Sequence, residues 1–147
     1  MKKIILLNLM LFVFICSNAQ QSSKVVYSNA MTHFYITCYT NDTSKVYAIS
    51  ETSVPLDNIW RFTDREETQV LRTFNSEKIR YFLSEVSEFE KTAKIGDVIE
   101  CMDILIEVKR VMGIKCIVLT NTKSKVKFNT NRKSINEGLT AVIKYEQ

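Results

Sequence analysis

The most reactive side chains in this sequence are a single histidine, His33, and the cysteines that follow it, Cys38, Cys101 and Cys116. A cysteine nucleophile needs a neighbouring base, and His33 is the only imidazole available. His33 and Cys38 are five residues apart in a predicted strand, so the odd spacing places their side chains on opposite faces. A pair of His33 with Cys101 or Cys116, formed by the fold, stays open but has no supporting motif. We therefore interpret His33 as an ordinary surface or half-buried residue.

Other catalytic and ligand-binding patterns are missing from the sequence. One histidine and no closely spaced cysteine pair do not meet the usual ligand requirement of zinc or iron sites. No Gly-x-Ser-x-Gly segment indicates a serine hydrolase, and the three scattered glycines do not form a phosphate-binding loop. The sequence thus predicts no catalytic residue, no metal site and no cofactor. A small hydrolase that pairs His33 with a thiol is the third hypothesis for function.

The charge distribution provides a candidate binding surface. The net charge is +4, of which Lys2 and Lys3 contribute two, so the rest of the chain is close to neutral and no nucleic-acid partner is predicted. Basic residues outnumber acidic ones in the carboxy-terminal third. Strand alternation places Lys109, Lys125 and Lys127 on the polar side of a predicted sheet, as a candidate surface for a partner. The alternative is a solvated face that serves solubility.

These lysines belong to a predicted three-stranded antiparallel meander. Apolar residues alternate from Ile104 onward, and Met112-Gly113 makes a two-residue turn in which Gly113 takes a positive φ. The return strand is residues 114–120, and Val111 is predicted to lie opposite Ile114.

A polar turn then leads to a third strand at residues 125–129, in which Lys125 is predicted to lie opposite Thr120. In this register Phe128 joins the apolar side of the meander. The three strands would therefore share one continuous apolar face.

Two amphipathic helices are predicted at residues 76–93 and 135–145, from apolar residues repeated every three to four positions. Asn75 or Ser76 can cap the first helix. Ser134 and Glu137 match a capping box for the second. Gly138 lies inside the second helix, where glycine is about 1 kcal/mol less favourable than alanine.

The amino-terminal half is predicted to be rich in strands. Residues 24–27, 33–39 and 45–49 contain many β-branched and aromatic side chains. Residues 69–74 are interpreted as a further strand, although a capping box at Thr63 and Glu66 would instead begin a short helix. The aromatic residues of this half suit either a protein partner or a surface glycan. The alternative is that phenylalanines such as Phe34 and Phe62 are core residues, with the tyrosines at the rim.

A short internal similarity indicates a possible duplication. Residues 40–46 and 120–126 share five of seven residue types, and each half of the sequence ends in a predicted helix. Each copy would be a turn between two strands. The match consists mainly of polar turn residues, so chance is the alternative explanation.

The first nineteen residues have the three parts of a secretory signal. Lys2 and Lys3 precede an apolar run that ends at Cys16, and small residues up to Ala19 precede the expected cleavage site. The run is too short to span a bilayer. Cys16 could instead carry a lipid, but the bulky Ile15 before it fits a lipoprotein signal poorly. Export would permit disulfides, yet the three cysteines of residues 20–147 leave at least one thiol free.

These observations predict a signal peptide at residues 1–19 and one exported α+β domain at residues 20–147. The domain is expected to be an antiparallel sheet with two helices packed on one face. A non-catalytic binding or protein-interaction module, periplasmic or secreted, is the expected function. A periplasmic inhibitor or immunity-type protein that neutralises an enzyme is the alternative. The sequence leaves the oligomeric state open.

Overall fold

The computed structural model describes residues 22–29, 31–53 and 67–147. Within these residues four strands and a helix are followed by four strands and a helix. The elements are β1 (Ser22–Asn29), β2 (Phe34–Thr40), β3 (Lys45–Ser53), β4 (Glu67–Asn75), α1 (Ser76–Thr92), β5 (Val98–Cys101), β6 (Ile104–Val111), β7 (Ile114–Asn121), β8 (Lys127–Thr130) and α2 (Arg132–Glu146). Strands β1–β4 form antiparallel sheet A and strands β5–β8 form antiparallel sheet B. The α+β class with antiparallel strands is confirmed, with two sheets where one was expected.

One hydrophobic core joins the two sheets and both helices. The central strands contribute alternate residues, such as Ile36 on β2 and Ile106 on β6, and the helices contribute Phe82 and Val142. All four side chains are fully buried. Because successive side chains of a strand point to opposite faces, alternation selects which residues enter this core. The two halves of the chain therefore stabilise each other.

The hairpin of sheet B confirms one predicted register and adds a strand. Val111 lies opposite Ile114, as expected, and Gly113 has φ of 83°. Strand β5 precedes this hairpin and was not predicted. The turn that connects β5 to β6 is Met102-Asp103, and both residues have positive φ, 52° and 60°. Such turns usually contain glycine or asparagine, so this one gives only a weak sequence signal.

The predicted register of the last strand was wrong by two residues. Lys127, and not Lys125, lies opposite Thr120. The turn is longer than expected because the Asn121 side chain accepts hydrogen bonds from the next backbone amides and Lys125 takes a left-handed conformation with φ of 64°. A shift by two residues preserves the face of every side chain. Phe128 accordingly lies in the core, as predicted.

The architecture is repeated, but the short sequence similarity does not fall on equivalent positions. Residues 40–46 contain the turn between the second and third strands of sheet A, whereas residues 120–126 contain the turn between the third and fourth strands of sheet B. The two turns share a local mechanism. The Asn41 side chain accepts hydrogen bonds from the amides of Thr43 and Ser44, and Asn121 does the same two and three residues ahead. The match therefore reflects common turn chemistry.

The amino-terminal half contains the predicted strands, but β1, β3 and β4 are longer than expected and β2 begins one residue later. Residues 69–74 lie in β4, as expected, but His33 lies in the turn before β2 and has φ of 51°. Phe34 is a core residue, whereas Tyr47 is fully buried and not at the rim. The hydroxyl of Tyr47 donates a hydrogen bond to the Glu146 carboxylate. The signal segment 1–19, Cys16, Phe62, Thr63 and Glu66 lie outside the described residues.

Helix α1 begins as predicted, whereas α2 begins earlier than predicted. The Asn75 side chain caps α1 by accepting a hydrogen bond from the amide of Lys78 at 2.8 Å. For α2 the cap is Asn131, which accepts from the amide of Ser134. The predicted capping box was therefore wrong, because Ser134 lies inside the helix. Its hydroxyl instead accepts a hydrogen bond from the Asn29 amide of β1 at 2.9 Å.

Helix α2 lies close to sheet A, and Gly138 makes this approach possible. A Cβ atom at position 138 would be 2.8 Å from Cδ1 of Ile36 on β2. Separations below 3 Å require a neighbour to move. Next to this contact, the Tyr27 hydroxyl of β1 donates to the Glu137 carboxylate at 2.9 Å. The second helix of the chain is thus packed on the first sheet.

Polar contacts also join the sheets at the β5–β6 turn. Arg72 of β4 donates to the Asp103 carboxylate at 2.8 Å and to the backbone carbonyl of Met102. The Asn121 amide, at the end of β7, donates to the carbonyl of Leu71 at 2.7 Å. These contacts satisfy backbone carbonyls of β4 and of the turn, and they fix the junction between the sheets.

Asp103→Asn is expected to destabilise the protein at neutral pH and to have a smaller effect in acid. Hydrogen bonds from Lys123, at 3.1 Å, and from Arg72 hold the pKa of Asp103 below its usual value. A carboxyl group with a lowered folded-state pKa stabilises the fold above its unfolded pKa. That contribution disappears as the pH falls through the folded pKa. The thermal unfolding temperatures of variant and wild type should converge below about pH 4.

Asp42→Asn in the exposed β2–β3 turn provides the matched control for this measurement. Its unfolding temperature should follow that of the wild type at each pH. If the Asp103 and Asp42 variants showed the same pH dependence, the contacts of Asp103 would not account for the effect.

Candidate functional site

A groove of about 410 Å³ lies where three connections of the chain meet. The β1–β2 turn, the tip of the β6–β7 hairpin and the end of β8 form its walls. The lining residues are Met31, Thr32, His33, Glu51, Val111, Met112, Ile114, Lys115, Cys116, Asn129, Thr130 and Asn131. Residues from both sheets therefore contribute to one concave surface, which is the usual setting of a binding site.

The rim of this groove is apolar and exposed. Met31 is 94 % exposed, Met112 is 96 % exposed and Ile114 is 71 % exposed. Methionine and isoleucine are among the residues that proteins usually bury, so their clustering at one surface feature indicates an interaction site. Met112 lies at the tip of the hairpin, in a turn in which Met112 and Gly113 both have positive φ.

One edge of strand β7 is free beside the groove. β7 pairs with β6 from Ile114 onward, whereas β8 pairs with β7 only from Ile117 to Thr120. Within the described residues, the segment 114–116 therefore has no strand partner on its β8 side. The Lys115 side chain anchors this segment to the end of α1, through the carboxylate of Glu90 at 3.0 Å and the carbonyl of Ala93 at 3.2 Å. Because backbone groups alternate between the two edges of a strand, Lys115 presents its amide and carbonyl on this free side. A fixed strand edge of this kind can accept an extended peptide.

A buried hydroxyl group without a hydrogen-bond partner in the described part of the chain lies at the wall of the groove. Thr130 ends β8 and is 2 % exposed, and its Oγ1 atom has no hydrogen-bond partner among the described residues. Buried hydroxyl groups in proteins are normally hydrogen-bonded. At the same wall, burial raises the pKa of Glu51 and the charge of His33 acts in the opposite direction. The floor thus carries a few polar groups below an apolar rim.

His33 and Cys116 line the same groove, so the fold brings together one of the pairs that the sequence left open. Burial raises the pKa of the Cys116 thiol, and Lys109 lowers it only in part. Catalytic thiols show the opposite direction, because the thiolate is the nucleophile. Cys38 is buried in the core, and the Cys101 thiol also has a pKa raised by burial. The three cysteines are free and form no disulfide with one another.

The three predicted surface lysines do not form a compact group. Lys109 lies on β6 opposite Cys116, and its amino group is 3.0 Å from the Glu107 carboxylate. Lys127 lies on β8 opposite Thr120, so about 13 Å along β7 separates it from the position of Lys109. Lys125 lies in the turn, where its amino group donates to the carbonyl of Thr122 at 2.6 Å. Two of the three charges therefore have partners within the protein.

Sequence reasoning missed the groove because its walls come from distant parts of the chain. The available signal was the pair Met112 and Ile114, two large apolar residues at a predicted hairpin tip, where polar residues are usual. Nothing in the sequence indicated that Met31 would line the same groove.

Among the described residues, neither helix has the length and apolar character needed to cross a membrane. Comparisons of this chain with protein-family models, with curated proteins and with solved structures give no match.

Proposed function

We propose that this protein is an exported, non-catalytic binding module that holds an extended, apolar segment of a partner protein in the groove. The observation that carries the proposal is the coincidence of an exposed apolar rim with a free strand edge at residues 114–116. Neither the apolar rim nor the free strand edge would by itself indicate a binding site for a peptide. Together they offer backbone hydrogen bonds and an apolar contact to the same peptide.

The partner segment would lie beside β7, in line with β8. Its backbone would pair with the amide and the carbonyl of Lys115, because those of Ile114 and Cys116 are directed to β6. One of its apolar side chains would enter the groove between Met31 and Met112, which are unbranched and adapt to different shapes.

Ile114→Asp is expected to abolish partner binding without unfolding the protein. Ile114 is largely exposed, so an aspartate there is tolerated in the free protein, whereas a bound apolar segment would have to desolvate its charge. The full-length gene with a carboxy-terminal affinity tag would be expressed in its own host. Co-purified envelope and medium proteins would then be quantified by mass spectrometry. One near-stoichiometric partner of the wild type should fall at least about tenfold with the variant.

Val25→Asp is the matched control, because Val25 is 55 % exposed and lies on sheet A opposite Thr37, away from the groove. It should retain the partner. Hydrogen exchange of the purified complex should also show new protection of the Lys115 amide, which faces the free edge. The absence of a partner, or its loss with Val25→Asp and not with Ile114→Asp, would refute the proposed surface.

A further inference from the structure

The outward face of sheet A, the side turned away from the core, has no charged side chain among those that the structure describes. On β2, Ile36 and Cys38 are buried, so the alternate residues Tyr35, Thr37 and Tyr39 point outward. Residues paired across antiparallel strands share a face of the sheet. The outward partners on β1, β3 and β4 are mainly valine, alanine, serine and threonine.

The charged side chains described on strands β1–β4 belong to the opposite side of the sheet. The amino groups of Lys24 and Lys45 lie 5.3 and 5.2 Å from the ring centre of Tyr145 on α2. Glu51 lines the groove, and Arg72 donates to the β5–β6 turn of sheet B. Each of these four residues therefore faces another part of the same chain.

Sheet B differs in this respect. Its outward face carries Glu100 on β5, Lys109 on β6 and Lys127 on β8, which alternate with the buried residues of their strands or pair with outward neighbours. Charged residues are usual on a sheet face in contact with water, whereas they are depleted where two protein surfaces meet. The contrast within one chain indicates that another protein surface covers the outward face of sheet A.

This face contains both a hollow and a projecting side chain. The hollow has a volume of about 330 Å³ and is lined by Tyr39, Val46, Ala48, Val70 and Thr73. Val25 on the edge strand β1 is 55 % exposed and projects from the same face. A surface that has a projection and a matching hollow can be complementary to a second copy of itself.

The strand register shows how two copies would fit. Val25 lies opposite Thr37, Thr37 opposite Ala48, and Ala48 opposite Thr73, so these four residues form one row across the sheet. A two-fold axis parallel to the strands, between β2 and β3, would place Val25 of each copy above Thr73 of the other. The projecting side chain would thus meet the hollow twice, and no like charges would be brought together.

We infer that two copies of this chain pack the outward faces of sheet A against each other, as the two sheets of a β-sandwich do. The strands are seven to nine residues long. With about 4.8 Å between strands and about 3.3 Å per residue, four of them cover about 500 Å² per copy, or about 1,000 Å² in total. This area is at the lower limit for specific interfaces, so the dimer should be weak. The inference does not rest on the proposed peptide binding, because the groove has other lining residues.

Sedimentation velocity of the protein, produced from its full-length gene, would test this inference. The average mass should rise from one copy toward two as the concentration increases from about 5 to about 500 µM. Thr37→Lys places a lysine near the two-fold axis, where the charges of both copies would meet and lose water. It should lower the association constant at least about tenfold.

Leu105→Lys is the matched control, because Leu105 is 36 % exposed on the outward face of sheet B and lies opposite Glu100. It should dimerise like the wild type. Val25→Asp is a second test of the interface at an exposed position and should also weaken the dimer, whereas Ile114→Asp should leave it intact. A wild type that stays monomeric, a dimer that survives both Thr37→Lys and Val25→Asp, or an equal loss with Leu105→Lys would overturn the inference.

Discussion

Phe82→Ala is expected to reduce the free energy of unfolding by about 3–5 kcal/mol, as is typical for large-to-small changes at buried aromatic residues. Phe82 lies on α1, is fully buried and stacks on Phe74 with 5.1 Å between the ring centroids. It belongs to the core that both sheets share. Since small domains have about 5–15 kcal/mol of total stability, one substitution would remove a large share of it. Urea unfolding followed by circular dichroism would measure the loss.

Tyr81→Ala provides the control for this prediction. Tyr81 is the preceding residue of the same helix, is also aromatic and is 53 % exposed. Its removal should change the unfolding free energy by less than about 1 kcal/mol. Both variants should unfold in a single transition, because one core serves both halves. Similar losses in the two variants, or separate transitions for two halves, would contradict the shared core.

Gly138→Val is expected to cost about 3 kcal/mol, the upper part of the range for overpacked cores. The new Cβ atom would be 2.8 Å from Cδ1 of Ile36, and the two further methyl groups of valine would meet the same crowded surface. Helix propensity alone predicts no such loss, because glycine is itself a poor helix residue. Thermal and urea unfolding of the purified variant would measure the loss.

A substitution of Ile36 tests whether its Cδ1 atom causes the stability loss expected for Gly138→Val. Ile36→Val deletes Cδ1 and should alone cost about 0.5–1.5 kcal/mol. Combined with Gly138→Val, it should give a total loss smaller than the sum of the two single losses, because the added methyl groups occupy the vacated space. Thr140→Val, at an exposed position of α2, should leave stability almost unchanged. Strict additivity of the two core substitutions would show that the close approach at Ile36 is not the cause.

The predictable parts of the fold are those in which local pattern and tertiary packing agree. Apolar periodicity and Asn75 together placed α1, and the turn at Gly113 fixed the register of Val111 opposite Ile114. The pattern failed where the backbone takes unusual conformations at ordinary residues. Met102, Asp103 and Lys125 all have positive φ without being glycine, and these residues set strand β5 and the register of β8. Sequence patterns weight glycine and asparagine for such positions, so they missed these turns.

The groove depends on where strands β7 and β8 begin and end, and apolar periodicity does not predict these limits. Strand β8 ends at Thr130 because Asn131 already caps α2, and β7 begins three residues before its pairing with β8 starts. Residues 114–116 of β7 therefore extend beyond the end of β8, and this extension is the free edge. A prediction of the groove would have required both limits and the position of the β1–β2 turn. Strand alternation, in contrast, predicted that Lys109 and Lys127 lie on the polar side of the sheet. It did not predict the partners of Lys109 and Lys125 or the distance between Lys109 and Lys127.

The packing of α2 on β1 and β2 has a consequence for the order in which the protein can form during synthesis. The ribosome produces strands β1 and β2 first and the helix that covers Ile36 last. Until residues 132–146 have emerged, the inner face of sheet A lacks one of its covering layers. A nascent chain therefore exposes the apolar side of β2 to solvent and to chaperones throughout translation. A chain that ends before residue 132 would lack this helix, and the surface of β2 that it covers would stay open.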